Sequence, residues 1–401
     1  MKPLVIIETH PVQYHAPVYH FLNDHLGVPV HVIYGSDFSI AGYRDREFGT
    51  SFAWDTELVR NSDSCTFLSR VGRGGAGSVE YVSAAGLDRA LAELQPAAVL
   101  LTGYSPAFHR HAFFQAWKLG CPILFRAETT DHAALRGTSK SWLRDRMLQS
   151  LYARCDRLLP IGQRSYEHYR RLGCDEHRLF FSPYCVSTNA FQCDEEARDG
   201  LRKPAREQLA IPEGSLVVLF CGKLSTRKGP HVLVEALKGL PENIRARMVA
   251  LFVGDGQQRD ALDKQCTADP VIQVRFAGFK NQSELSPYYH AADVFVLPSL
   301  ESETWGLVVN EALHHGAPCV VTDAVGCAPD LIEPGATGEI AVAGSAGSLR
   351  DAIQRLLPRI GTQQIREQCH HKVSGYTVEK AAEGIAKAFR SLQECTRKAA
   401  S

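Results

Sequence analysis

Val294-Phe295-Val296-Leu297-Pro298-Ser299-Leu300-Glu301-Ser302-Glu303-Thr304-Trp305-Gly306-Leu307-Val308-Val309-Asn310-Glu311-Ala312 reads as one strand, one loop and one helix. Four consecutive apolar residues suit a strand buried on both faces. Pro298 ends it, because proline has no N–H to give to a ladder. Gly306 lets the backbone turn before a helix predicted over Leu307–His314. A buried strand followed by a covering helix is the repeating unit of a parallel sheet.

The unit recurs on both sides. Strands are predicted at Leu216–Cys221, Val249–Val253, Ile272–Ala277 and Pro318–Val321, with a helix at Gly229–Leu240. A separate series occupies the first part of the chain: strands Leu4–Ile7, Val28–Tyr34, Ala98–Leu101, Ile123–Arg126 and Arg157–Ile161. Helices are predicted there near Pro17–Leu22, Gly86–Leu94, His109–Leu119, Ser141–Ala153 and Ser165–Leu172. The polar stretch Asp194–Arg206 reads as a charged linker between two βα-alternating halves. Two Rossmann-like domains, 1–190 and 205–372, are therefore expected, followed by a closing segment 373–401. A length of 401 residues agrees, since it exceeds one ordinary domain core.

Composition narrows the class. Hydrophobic residues make up 45% and charged residues 22%, which is ordinary for a globular protein and excludes disorder or membrane residence. The 44 Lys and Arg cancel the 44 Asp and Glu, so no global field draws in nucleic acid. An anionic ligand must then be held by local cations. The 12 cysteines form no Cys-x-x-Cys pair, which removes a structural zinc site and reads as reduced, partly buried thiols. Leu4–Ile7 is too short for a signal peptide or an anchor, and the chain is expected to be cytoplasmic. Gly72, Gly74, Gly75 and Gly77 read as a surface loop, because no Lys-Ser/Thr pair follows as in a phosphate-binding loop.

The opening stretch also has neighbours of a recognisable kind. Phe276-Ala277-Gly278-Phe279, Tyr288-Tyr289-His290-Ala291-Ala292-Asp293, Gly316-Ala317-Pro318 and Gly326-Cys327-Ala328-Pro329-Asp330 surround it, and Glu303 and Glu311 stand in a Glu-x7-Glu spacing. Together these resemble the retaining glycosyltransferases of family 4, whose GT-B fold sets two Rossmann-like domains with parallel sheets about a cleft. A pair of glutamates eight apart is commonplace alone; the context makes it specific. The resemblance implies that Glu303 meets the donor sugar and Glu311 the ribose. Thr304, Trp305, Gly306 and Leu307 would then form the donor-binding loop and helix start, where N–H groups and the helix dipole favour a diphosphate.

Val217-Val218-Leu219-Phe220-Cys221-Gly222-Lys223-Leu224-Ser225-Thr226-Arg227-Lys228-Gly229 carries a second signal. The family usually places Gly-Arg and then Lys-Gly here, so Lys228 matches while Lys223 departs from the Arg. Two fixed cations stabilise a departing nucleoside diphosphate more than the bound donor, and lysine keeps the charge while losing the guanidinium fork. Gly222, Gly254 and Phe279 complete the donor set that the resemblance implies. No Asp-x-Asp occurs, so neither a metal nor another cofactor is expected. The resemblance implies a nucleotide-sugar donor, with a UDP-sugar as the leading choice.

The first half is read more thinly. Thr9-His10-Pro11-Val12-Gln13-Tyr14-His15 resembles a subset of the family with a His-Pro-[Ile/Val]-Gln-Tyr opening, and His10, Gln13 and Tyr14 are candidates for the acceptor or cleft. Where many members carry a His-Asp, this chain has Arg126-Ala127-Glu128-Thr129-Thr130-Asp131-His132. Arg126 and Glu128 are assigned to the reaction centre, with His132 as the alternative and a structural ion pair as the bland reading. Between Arg136 and Arg171, nine cations face three acids, with Trp142, Leu143 and Met147 interleaved. That helix fits either peripheral contact with an anionic bilayer or a solvated basic face, and the latter is favoured. The expected activity is retaining transfer of a sugar to a hydroxyl acceptor. A nucleotide-sugar epimerase or a non-catalytic nucleotide-sugar binding subunit are the rivals.

Overall fold

The computed structural model describes residues 2–44, 51–52, 54–71, 82–132, 138–268 and 272–400. The glycines at 72, 74, 75 and 77 and Arg136 lie outside the described residues. Two six-stranded sheets carry the fold, every neighbouring pair of strands in them parallel. Across the first sheet the strands run Cys65–Phe67, Val30–Tyr34, Leu4–Glu8, Ala98–Leu101, Ile123–Phe125 and Arg157–Leu158. Across the second they run Gln273–Gly278, Met248–Val253, Leu216–Cys221, Val294–Leu297, Cys319–Thr322 and Gly338–Ala341. In each sheet the first strand in sequence lies beside the fourth, and the order reverses between them. Such a switch point opens a crevice outside the carboxyl ends of the strands. The segments that leave those ends, Thr9–His15 and Thr102–Gly103 in one half and Gly222–Lys223 and Pro298–Gly306 in the other, hold most of the polar residues discussed below.

Both sheets are covered on both faces, which accounts for their nearly unbroken apolar strands. One face of the first sheet packs Val5, Ile7, Val99 and Leu101 on Phe108, Ala112 and Tyr152. Its other face sets Leu4, Ile6 and Leu100 against Val18, Leu22 and residues from the far end of the chain. There the helix Val378–Ala400 buries Ala381, Ala382, Ile385, Ala386 and Phe389 on the first half. Its alanines let the helix approach closely, while Ile385 and Phe389 contribute on the order of 2 kcal/mol each by burial. Ser182 Oγ donates to Ala381 O at 2.8 Å and Arg390 Nη2 to Leu26 O at 2.6 Å, fixing the same docking.

The polar stretch read as a linker is instead a helix, Glu195–Gln208, belonging to the second half. Asp194 caps it by accepting Ala197 N at 2.7 Å. Arg202 and Arg206 tie it to Asp293 at 2.5 and 2.6 Å, and Asp293 in turn accepts Val217 N at 2.7 Å. Charges that look solvated in sequence are spent on one buried carboxylate. The second half thus begins near residue 194 rather than 205. The described cysteines hold no disulfide, and Cys155, Cys185, Cys319 and Cys327 are buried thiols pushed up in pKa by burial. No helix among the described residues is long and apolar enough to cross a membrane.

Candidate active site

Three turns at the carboxyl ends of adjacent strands build the floor of the cleft. Gly222 N donates to Val253 O at 2.9 Å and Gly254 N to Gly278 O at 2.8 Å. Gly254 has φ +124°, and a Cβ there would lie 2.0 Å from Gly222 O. Only glycine fits, so these turns can lie close together with bare backbone at the cleft. Gly306, φ +97°, plays the same part before the helix Leu307–His314, where a Cβ would stand 3.0 Å from Leu297 and Val325.

A small open pocket of about 90 Å³ lies on these turns, and the structure brings Gln13, Tyr14, Gly222, Gly254, Phe279 and Glu311 to its wall. Two of them come from the first half and four from the second. Glu311 is 2% exposed. Tyr289 OH donates to its Oε2 at 2.7 Å and Tyr14 OH to its Oε1 at 3.4 Å. Burial raises the carboxyl to about 7, and the two tyrosine hydrogen bonds offset only part of that. The ring of His315 stacks on Tyr289 at 4.8 Å, and burial holds that imidazole down at about 3, so it is a neutral packing partner.

The second carboxylate lies on the loop before the helix. Glu303 Oε2 meets Lys228 Nζ at 2.5 Å and Ser299 Oγ at 3.0 Å, with Arg227 Nη1 at 3.6 Å. Lys228 ends the short turn Thr226–Lys228, and Lys223 follows Gly222 at the end of strand Leu216–Cys221. One member of the Lys-x4-Lys pattern, Lys228, and one of the Glu-x7-Glu pattern, Glu303, thus meet in space. Thr304, the next residue, donates its hydroxyl to Glu128 Oε2 across the cleft. Glu128, exposed at the carboxyl side of strand Ile123–Phe125, also accepts from Tyr184 OH.

Three expectations change. Arg126 is 4% exposed and lines no open cleft: its Nε donates to Ser182 Oγ at 2.9 Å and its Nη2 to Pro183 O at 2.8 Å. The guanidinium satisfies carbonyls where the chain crosses between the halves, so its task is to hold that crossing. The Trp305 side chain is core, with its Nε1 donating to Asn310 Oδ1 at 2.8 Å and its ring edge-on to Tyr184 at 6.1 Å. What Trp305 leaves for a ligand is backbone. His10 stays within the first half, stacked on Phe38 at 4.4 Å and bonded to Thr9 Oγ1 at 2.9 Å, and burial lowers it to about 4. The alternative His132 is exposed, while its neighbour Asp131 binds His168 Nδ1 at 2.8 Å and Arg171 at 2.7 Å.

Sequence reading missed Tyr184, His15, Glu8 and Asp330. Asp330 accepts Gln163 N at 2.9 and 3.1 Å, so a carboxylate of one half caps a helix of the other. The signal for Glu8 was present, since a carboxylate closing an apolar strand needs a buried partner. The others depend on long-range contacts.

Known proteins resemble this chain in sequence and fold. The family model described as Glycosyl transferases group 1 matches residues 202–369. Sulfoquinovosyl transferase SQD2 of Arabidopsis thaliana is 36% identical over 156 residues, 39% of this chain and 28% of that protein. A D-inositol 3-phosphate glycosyltransferase of Xylanimonas cellulosilytica is 34% identical over 184 residues, 44% of this chain and 43% of that one. The matched stretch thus spans less than half the length of either relative. Among solved structures, Anabaena HepE in complex with UDP superposes with a TM-score of 0.72 at 18% identity, covering 97% of this chain and 100% of that one. The two-sheet architecture is accordingly the GT-B fold, and residues 202–369 match the group 1 glycosyl transferase model.

Proposed function

We propose that this chain is a retaining glycosyltransferase that moves a sugar from a nucleotide-sugar donor to a hydroxyl acceptor. The observation that carries the reading is the junction of Lys228 with Glu303, beside the glycine turns and one helix away from buried Glu311. The diphosphate takes Lys228, Lys223 and the N–H groups at Gly306; the donor sugar takes Glu303; the ribose diol takes Glu311. As the glycosidic bond breaks, charge gathers on the leaving phosphate, where the two lysines oppose it without a metal ion or other cofactor. The acceptor attacks from the same face, its proton passing to the departing phosphate oxygen. Glu303 and Glu311 are therefore ligands for hydroxyls rather than the acid and base of a glycosidase. Closure of the two halves excludes water from an oxocarbenium-like transition state. A UDP-sugar is the first choice of donor, because Anabaena HepE was solved with UDP and with UDP-glucose.

A panel of nucleotides and nucleotide sugars, scored by shift of melting temperature and followed by mass spectrometry of products, tests this. Stabilisation by a nucleoside diphosphate and its sugar, with transfer to a hydroxyl compound, is expected. Indifference to every nucleotide sugar sinks the reading, and release of free nucleotide without any acceptor favours an epimerase.

The acceptor is proposed to be met at an anionic membrane surface, on the cytoplasmic side. Trp142 is 62% exposed, Leu143 66% and Met147 48%, all on the helix Thr138–Tyr152. Exposed Phe114 and Trp117 lie on the helix Ala107–Lys118, with Arg146 over the Trp142 ring at 5.6 Å and Arg154 over Trp117 at 5.9 Å. Apolar rings edged by cations match an interface of anionic headgroups and acyl chains. In vesicle sedimentation, the triple variant Trp142→Ala, Leu143→Ala, Met147→Ala is expected to bind anionic vesicles about tenfold more weakly than wild type. Equal wild-type binding to anionic and zwitterionic vesicles overturns the proposal.

A further inference from the structure

A chain of hydrogen bonds runs from the core of the first half to the loop of the second. Glu8, 3% exposed, closes the strand Leu4–Glu8 and accepts Tyr19 OH at 2.5 Å, Thr102 Oγ1 at 2.9 Å and His15 Nδ1 at 2.7 Å. Burial works against its ionisation, yet the His15 charge and the hydrogen bonds from His15 and Tyr19 outweigh that and hold it down at about 2. His15 Nε2 lies 3.2 Å from Tyr184 OH, although the two residues are 169 positions apart. The Tyr184 hydroxyl bonds Glu128, and Glu128 bonds Thr304.

Counting protons along this chain restricts its states. Tyr184 has a single O–H. When it donates to Glu128, its oxygen must accept from His15 Nε2; because His15 Nδ1 also donates to Glu8, the imidazole carries both protons. When Tyr184 donates to His15 Nε2 instead, Glu128 must carry the proton that closes their contact. Both arrangements hold the same number of protons, one on His15 or on Glu128 beyond the Tyr184 proton itself. Without that proton Tyr184 can satisfy only one neighbour, and the chain breaks on one side or the other.

We propose that Tyr184 is a positioning residue, the centre of a one-proton relay from Glu8 through His15 that holds Glu128 across the cleft against Thr304. The groups around it are few. The Arg126 guanidinium lies over the Tyr184 ring at 5.4 Å. His10 and His109 stand near Glu8 and His15, Tyr19 faces the His15 ring at 6.3 Å, and the second half presents Thr304 and the uncharged Trp305. The relay is complete only while that shared proton is present. Its part in turnover rests on the proposed transferase reading; its part in holding the halves together does not.

Hydrogen-exchange protection of residues 301–306, measured in the full chain, tests the relay without any substrate. Tyr184→Phe keeps the ring against Trp305 and Arg126 and removes only the hydroxyl. The variant is expected to lose about tenfold in protection there relative to wild type, the worth of one charged hydrogen bond. Equal protection of the two proteins overturns the proposal. Should Tyr184→Phe fold poorly, Thr304→Val cuts the same chain at its exposed end and must give the same loss. In turnover, Tyr184→Phe should lower kcat by about tenfold and leave the donor KM within about twofold. A rise in KM with kcat unchanged contradicts a positioning role. A wild-type protein inert with every donor counts against the transferase reading alone, because the exchange data still judge the relay.

Discussion

Lys228→Ala lowers kcat/KM for sugar transfer by about a hundredfold to a thousandfold, the cost of removing one preorganised donor of positive charge from a developing oxyanion. The geometry explains why so much rests on one side chain. Lys228 stands at the end of a turn whose next residue, Gly229, has φ +66°, and its Nζ reaches Glu303 at 2.5 Å from the other segment of the site. On the proposed reading the cation is already fixed where a diphosphate would lie, so no reorganisation would be needed during the reaction. Its loss also leaves Glu303 half-paired in a site where that carboxylate is 8% exposed, with Arg227 at 3.6 Å as the nearest remaining cation. Truncating one member of a buried pair costs about 3 to 5 kcal/mol of stability when nothing compensates, so the melting temperature must be measured beside activity. Lys228→Arg keeps the charge and separates the two effects. If Lys228→Ala, still folded, transfers sugar at the wild-type rate, the donor-site assignment is wrong.

Glu311→Gln is expected to flatten the pH dependence of stability and to weaken nucleotide binding by about tenfold to a hundredfold, the worth of a hydrogen bond to a charged group. The sign follows from the raised carboxyl. Its unfolded value is 4.5 and burial in the fold takes it to about 7, so between those values the native state binds more protons than the unfolded chain. Stability is then greatest below about 4.5 as far as this group is concerned and declines as pH rises to about 7, by about 3 kcal/mol in all. Glutamine cannot titrate, so the variant's denaturant midpoint should lack that decline and exceed wild type at mildly alkaline pH. Nucleotide binding by wild type should strengthen over the same interval, because an ionised Glu311 is the better acceptor for a ribose diol. Identical pH profiles for the two proteins would place the buried proton elsewhere.

The parts of the molecule that could be read from sequence are those whose causes are local. Strands such as Leu216–Cys221 and Val294–Leu297 are legible because burial on both faces leaves an unbroken apolar run between turn residues. Gly222, Gly254, Glu303 and Glu311 follow from the same units, since each sits at a fixed distance from a strand end. Arg126 was misplaced because a charged residue at a strand end needs a partner, and sequence does not say which; the partners are Ser182 and Pro183, more than fifty positions away. The helix Glu195–Gln208 was hidden for a similar reason. Gly200, Pro204 and many charges weaken its intrinsic preference, and Arg202 and Arg206 anchor it to Asp293, 91 and 87 positions distant. Tyr184 and His15 had no local signal at all, because their meaning lies in each other.

The helix Val378–Ala400 makes the first half discontinuous in sequence. During synthesis on the ribosome, the sheet face formed by Leu4, Ile6 and Leu100 has to wait for Ile385 and Phe389, which emerge about 285 to 385 residues later. The second half has its strands and helices in hand well before that. The later half can complete its core before this helix is made, and the earlier half is closed only once the helix docks. A chain cut short after residue 377 would leave an uncovered apolar face on the half that was made first, a ready target for cellular quality control.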